Sequence, residues 1–345
     1  MDKTRLLDLD LDELKSYCEA LGSPKYRAVQ IMEWLKRGCA FDEMTNIPAE
    51  LRDSLSRKAT TGIPAVADVQ RSKLDGTVKF LFELFGGVFV ESVLMKYSYG
   101  YSVCLSSQAG CKMGCRFCAS AGVAFSRDLS AGEILGQIIA IERHENVKIS
   151  HVVIMGIGEP MDNYDNVVKF IRNVSSPDGL NISPRKISLS TCGVVPGILR
   201  LMNEGLPVTL SVSLHDPFDD ERSEIMPVNR IYGLDELFSA CRKYVETTGR
   251  RITFEYAVIE GQNDSKRHAL ELAERVKGML CHVNLIPVNK IDGGRYRRPS
   301  RETIDSFQKT LESRGVTVTV RRELGRDISA ACGQLRKRVA EERAK

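Results

Sequence analysis

No run of apolar residues approaches the ~20 that a membrane-spanning helix requires, so the sequence is not built to cross a bilayer as a helix. No segment repeats at solenoid length and none is of low complexity, which sets aside repeat arrays and long disordered tracts. With 27 Gly and 12 Pro among 345 residues, collagen-like and mucin-like chains are excluded as well. The opening residues Met1-Asp2-Lys3-Thr4-Arg5 place charge where a secretory signal places an apolar block, and a cytoplasmic location is expected. An excess of one charge is also lacking, since 49 basic residues against 45 acidic ones leave a net charge of +4, which by itself implies no partner. Its distribution is uneven: residues 290–345 hold fifteen Lys/Arg and eight Asp/Glu, a local balance of +7. Such an end suits a polyanion, although a solvated C-terminal helix is the commoner cause of the same bias.

What the chain does have is 43% hydrophobic residues and enough length for one large domain and a smaller one. Residues 1–62 read as a small helical accessory domain, with helical spacing over Leu11–Cys18, a stop at Gly22, and Ser23-Pro24 expected to start the next helix. Residues 63–100 alternate in the manner of strands, with turns at Asp75-Gly76 and Gly86-Gly87, and form a short β lead-in. From 101 to 345 a strand-then-helix rhythm predicts strands near Ser102–Ser106, His151–Met155, Lys186–Ser190, Val208–Leu214, Arg251–Ile259 and Cys281–Pro287. Each is followed by a helix, and a further strand-like run, Val316–Val320, follows the last. Six βα units predict an α/β fold, a partial (βα)6 barrel whose site sits at the C-terminal ends of its strands. The rival is a flat doubly wound sheet.

Ten cysteines in a chain without secretory character point to metal binding or chemistry rather than to disulfide staples. Three of them, Cys111, Cys115 and Cys118, are spaced x3 and x2 in the loop after the first strand of the rhythm. That spacing lets one loop reach three corners of a cubane iron–sulfur cluster and leaves one iron open for a ligand. A zinc site completed by Cys192 or His215 is the alternative, weakened by the lack of a second Cys-x2-Cys or a His pair.

A three-cysteine loop at the first βα junction resembles the radical S-adenosylmethionine superfamily. With Cys104-Leu105-Ser106-Ser107-Gln108-Ala109-Gly110 before it and Ala330-Ala331-Cys332-Gly333-Gln334-Leu335 near the end, the sequence resembles the RlmN/Cfr family of RNA adenine methyltransferases over nearly its whole length. The resemblance implies a [4Fe-4S] cluster on Cys111, Cys115 and Cys118 and two S-adenosylmethionine molecules per turnover. It implies that Gly158 and Glu159 meet the cofactor's amino group, and that Ser190, Ser213, Leu214, His215 and Asn289 hold its ribose, carboxylate and adenine. Taken singly, Ser190 reads as a helix cap, His215 as a core histidine and Asn289 as a turn residue. Together they fall at the ends of different predicted strands.

The resemblance further implies that Cys332 carries a methyl group and bonds covalently to RNA. Cys104 then helps to remove a proton and closes a disulfide with Cys332, while Glu91 is the proton acceptor. On the residues alone, Cys104 and Cys332 read as structural thiols and Glu91 as a solvent-facing strand residue. Cys18, Cys39, Cys241 and Cys281 are expected in the core, and Cys192 has no evident role. The implied partners are 23S rRNA, tRNA and an external electron donor of the flavodoxin type, the chain acting as a monomer. Arg295-Tyr296-Arg297-Arg298, Arg321-Arg322 and Arg336-Lys337-Arg338 supply charge for phosphates. Gly158-Glu159-Pro160 and Asn284-Leu285-Ile286-Pro287 favour the branch that methylates carbon 2 of adenine over the one that methylates carbon 8. A non-catalytic zinc-containing RNA-binding protein is the reading from another class.

Overall fold

The computed structural model describes residues 3–289, 295–330 and 333–335. Ten strands form one mixed sheet. Four are antiparallel to their neighbours: β1 (Ala65–Arg71), β2 (Val78–Leu84), β3 (Val88–Tyr97) and β4 (Gly100–Cys104). From β4 onward all pairings are parallel, through β5 (Ile149–Ile154), β6 (Ile187–Thr191), β7 (Thr209–Ser213), β8 (Ile252–Val258), β9 (Cys281–Pro287) and β10 (Val318–Val320). The strands lie in sequential order, and among the described residues no ladder joins β10 to β1. A doubly wound sheet requires a point where strand order reverses. None occurs here, so the partial barrel holds and the flat rival falls.

Three helices precede the sheet: α1 (Leu11–Ala20), α2 (Tyr26–Lys36) and α3 (Ala49–Lys58). The Asp10 carboxylate accepts from the Glu13 backbone and Glu13 returns the bond, which fixes the start of α1. The next helix starts later than Ser23-Pro24 suggests. Its first turn opens at Tyr26, and Pro24 supplies a carbonyl to the Arg27 N–H in the turn before it. Crossover helices follow as α4 (Ala131–Glu145), α5 (Tyr164–Ser175), α6 (Val195–Leu201), α7 (Asp219–Ile225), α8 (Leu234–Thr248), α9 (Lys266–Arg275) and α10 (Arg301–Glu312). Only the short α7 departs from the expected rhythm. Asp8 accepts from the Gly132 N–H at 2.8 Å and so ties the N-terminal helices to the first turn of α4.

Two-residue alternation divides the parallel strands. Leu189, Leu210, Val212, Phe254 and Tyr256 join the main core under the helices. Ser190, Ser213, Glu255 and Ala257 point the other way and line a cavity. One face is therefore packed and the other is left for a ligand.

Candidate active site

The loop after β4 brings Cys111, Cys115 and Cys118 to the rim of that cavity, which spans about 980 Å³ with the solvent at its mouth included. Burial pushes the Cys111 thiol up to about 11 and raises Cys115 further. Neighbouring sulfurs and Glu159 add to both shifts. Cys111 and Cys115, held neutral in this way, lose their protons most readily to a cationic metal centre. Among the described residues, the set of three His, Cys, Asp or Glu ligand atoms within 4.8 Å of one another is Asp216, Glu221 and His268, none of them a residue of the cysteine loop. The three sulfurs are thus spread more widely than one ion needs, which suits the corners of a cluster, and among the described residues no four-ligand set for zinc forms around them.

Glu159 lies in the turn after β5, and Gly158 makes that turn possible. Gly158 has φ +109°, and a Cβ there would come within 2.8 Å of the Gln108 backbone nitrogen. Gln108 accepts from the Glu159 N–H at 2.9 Å, and its amide nitrogen donates to Asp128 and Asp162. The Glu159 carboxylate accepts from the N–H groups of Met161 (3.0 Å) and Cys192 (2.7 Å). It is 3% exposed, burial raises its pKa, and among the described residues no Lys, Arg or His pairs with it. A buried carboxylate on a cavity wall without a cation fits the ammonium of a bound amino acid moiety. The donor set therefore fits both S-adenosylmethionine and a cluster.

Ser190, Ser213, His215 and Asn289 also line the cavity. His215 has φ +59°. Its Nδ1 accepts from the Ala257 N–H at 2.8 Å and its ring meets Phe117 edge-on at 4.6 Å. Burial, with Arg222 nearby, lowers its pKa to about 3, so the ring is neutral and its tautomer fixed. Leu214 differs from its neighbours: its side chain is fully buried in the main core, and it is not among the residues that line the cavity.

A second chamber of about 730 Å³ adjoins the first and shares Cys118, Met155, Gly156, Asn289, Arg321 and Gly333 with it. Cys104 lines this chamber, opposite Val93 of β3. Cys332 lies outside the described residues, as do Arg336, Lys337 and Arg338, but Ala330 and Gly333 on either side of Cys332 line the same chamber. The N–H of Ala119, next to Cys118, donates to the Gly333 carbonyl at 2.7 Å. Glu91 does not face solvent: it is 4% exposed and pairs with Lys79 at 3.2 Å. It shares a face of β3 with Val93 and Met95, which line the second chamber.

The sequence from 105 to 273 matches the Radical SAM superfamily, and residues 4–61 match the ribosomal RNA large subunit methyltransferase N-terminal domain. The chain is 50% identical over 340 residues to a probable dual-specificity RNA methyltransferase RlmN of Lachnoclostridium phytofermentans, covering 97% of this chain and 95% of that one. It is 51% identical to its namesake in Pelotomaculum thermopropionicum, over 98% and 93% of the two chains. A crystal structure of a radical SAM methyltransferase from Sphaerobacter thermophilus superimposes with a TM-score of 0.94 at 43% identity, covering 96% and 99%. The chain belongs to the RlmN family of radical SAM methyltransferases.

Several residues that hold this RlmN site together carry no motif. Arg222 of α7 is fully buried. It donates to the carbonyls of Leu214 (2.9 Å), Cys192 (2.8 Å) and Ser213 (3.0 Å) and to Asn229 Oδ1 (2.7 Å), which locks the ends of β6 and β7 together. Cys192 gains a role here, since its N–H anchors Glu159 and its carbonyl receives Arg222. Glu255, buried mid-strand in β8, lines the cavity and accepts from Asn284 at 2.7 Å. The available signal was the alternation in Ile252-Thr253-Phe254-Glu255-Tyr256, where a carboxylate occupies the face opposite the aromatics.

Proposed function

We propose that this chain is a dual-specificity RNA methyltransferase that methylates carbon 2 of adenine in 23S rRNA and in tRNA beside the anticodon. The observation that carries the reading is the junction of the two chambers: the cluster loop and Glu159 open on one, Cys104 and the flanks of Cys332 on the other, and Cys118 and Asn289 belong to both. Cys111, Cys115 and Cys118 would hold a [4Fe-4S] cluster, and Glu159, Ser190, Ser213, His215 and Asn289 would hold S-adenosylmethionine, with Leu214 packed behind them. When bound, these groups supply the one-electron chemistry that an electron-poor aromatic carbon demands.

The protein's own residues carry the rest. Cys332 would accept a methyl group from one S-adenosylmethionine, S-adenosylhomocysteine leaving, and a second molecule would serve the radical step, so that each turnover uses two. The held methyl group would give up one hydrogen atom to the one-electron chemistry that bound S-adenosylmethionine supplies, and its carbon would then bond to carbon 2 of the adenine, the adduct returning one electron, in a covalent enzyme–RNA link. Glu91, with Lys79 beside it, accepts the carbon-2 proton in concert with Cys104. Cys104 then forms a disulfide with Cys332 as the methylated RNA leaves. The adenine must be unstacked to reach this depth, which selects RNA with an accessible base. Residues 1–62 and the C-terminal basic segments hold the folded RNA, residues 63–100 carry Glu91, and residues 101–345 form the catalytic barrel. The protein acts in the cytoplasm as a monomer and takes electrons from a flavodoxin-type donor. No described helix is long and apolar enough to cross a membrane.

Mass spectrometry of rRNA and tRNA fragments after anaerobic incubation with S-adenosylmethionine and a reductant tests the proposal. A 2-methyladenine product supports it, and a carbon-8 product or a colourless zinc protein without iron overturns it.

A further inference from the structure

Strands β3 and β4 are joined by the two residues Ser98 and Tyr99, with Tyr97 opposite Gly100. The rings of Tyr97 and Tyr99 stack at 4.9 Å with planes 8° apart, and His151 of β5 meets Tyr99 edge-on at 4.6 Å. An aromatic in a turn that served only to close the sheet would be covered by this packing, yet Tyr99 is 57% exposed. The stack also leads somewhere: Tyr97 lines the Cys104 chamber, whose lining includes Arg298, Arg321 and Arg322 against one carboxylate, Glu323, which pairs with Arg298. Tyr99 is close enough to Arg321 to feel its charge. A rigid, exposed ring beside a cationic chamber is the arrangement that binds unpaired bases, because every base offers a π face and phosphates follow it.

We propose that Tyr99, seated on Tyr97 and His151, is a stacking platform for one unpaired nucleobase that flanks the reacting adenine, with Arg298 and Arg322 near the connecting phosphates. This rests on the RNA methyltransferase reading and adds to it a subsite for a second base. The base held there is splayed away from its neighbours, so that the adenine enters the chamber alone.

The test uses cluster-loaded protein and an anticodon stem–loop RNA carrying 2-aminopurine at one flanking position at a time. Wild type should quench the probe at one position, and Tyr99→Ala should lose that quench and bind roughly 5- to 100-fold more weakly. KM for the RNA should rise by a similar factor while kcat stays within about twofold. Tyr99→Phe should match wild type and Tyr99→Trp should bind more tightly, which keeps the test open should the alanine variant fold poorly. An abasic site at the quenched position should erase the difference between wild type and Tyr99→Ala. Equal affinities of wild type and Tyr99→Ala for every fragment overturn the platform, as does a loss in Tyr99→Phe equal to that in Tyr99→Ala. Methylation is scored separately on the unsubstituted stem–loop: binding and quenching without methyl transfer overturn the proposed reaction and leave the platform standing.

Discussion

Arg222→Leu should cut the tie between β6 and β7. The guanidinium makes four hydrogen bonds from a fully buried position, three to backbone carbonyls and one to Asn229. Leucine fills part of the volume and takes this donor away from the Cys192 and Ser213 carbonyls and from Asn229 Oδ1, while the Leu214 carbonyl keeps the Asp216 N–H. Each stranded buried acceptor costs about 1–3 kcal/mol, although local relaxation makes the sum less than additive. The desolvation of the arginine, which burial already disfavours enough to lower its pKa, is regained and offsets part of the loss. A net loss of about 3–5 kcal/mol follows, or a Tm lower by roughly 4–7 °C for a chain of this length. The damage is local as well, because the freed carbonyls belong to Cys192 and Ser213, whose turns position Glu159 and His215. KM for S-adenosylmethionine should rise along with the loss of stability. Arg222→Lys should recover little of it, since one ammonium cannot span the fork. The assay is thermal unfolding by circular dichroism together with cofactor titration, at matched iron content. A Tm within about 2 °C of wild type and an unchanged KM would refute the reasoning.

Glu159→Gln removes the charge but keeps the shape, and should raise KM for S-adenosylmethionine about 10- to 100-fold, the worth of a charge-assisted hydrogen bond. Unchanged cofactor titration curves at equal iron content would sink this assignment. Cys104→Ala should accumulate protein cross-linked to RNA, visible as a shifted band on denaturing gels, whereas Cys332→Ala should keep its brown cluster and show no methyl group on the protein by mass spectrometry. Normal turnover without adduct in Cys104→Ala removes Cys104 from the reaction. Burial pushes the Asp216 carboxyl up to about 7, with Glu221 adding to the shift and the Phe218 N–H, Arg222 and Arg267 opposing it. The folded state therefore holds this proton more tightly than the unfolded chain, and the associated stability is full below about pH 4 and lost as pH rises through 7. Urea unfolding should show wild type losing ground to Asp216→Asn between pH 5 and pH 8, and parallel profiles would contradict it.

The cysteine loop was legible because cluster ligation is a local property: three thiols within eight residues need no tertiary partner to be recognised. The strands and crossover helices were legible for a similar reason, as two-residue and 3.6-residue alternation is written along the chain. Turn residues such as Gly76 and Gly86, both at positive φ, marked the β lead-in correctly. Glu91 was misread as solvent-facing because the antiparallel lead-in continues the parallel sheet past β4, and the face of β3 that an isolated hairpin would expose is covered there.

By itself, the sequence determined the three-cysteine loop, the order of elements and the alternation that leaves one face of the sheet polar. Only the tertiary structure decided which distant groups meet. Arg222 gathers carbonyls from two strand ends, Glu159 finds the Cys192 N–H 33 residues away, and Ala119 N–H reaches Gly333 across the whole barrel. Backbone N–H and C=O groups are the same at every residue and leave no mark in the sequence. Which of them is aimed into a buried site is set by register, turn geometry and packing, and these exist only once the sheet has curled around its cavity.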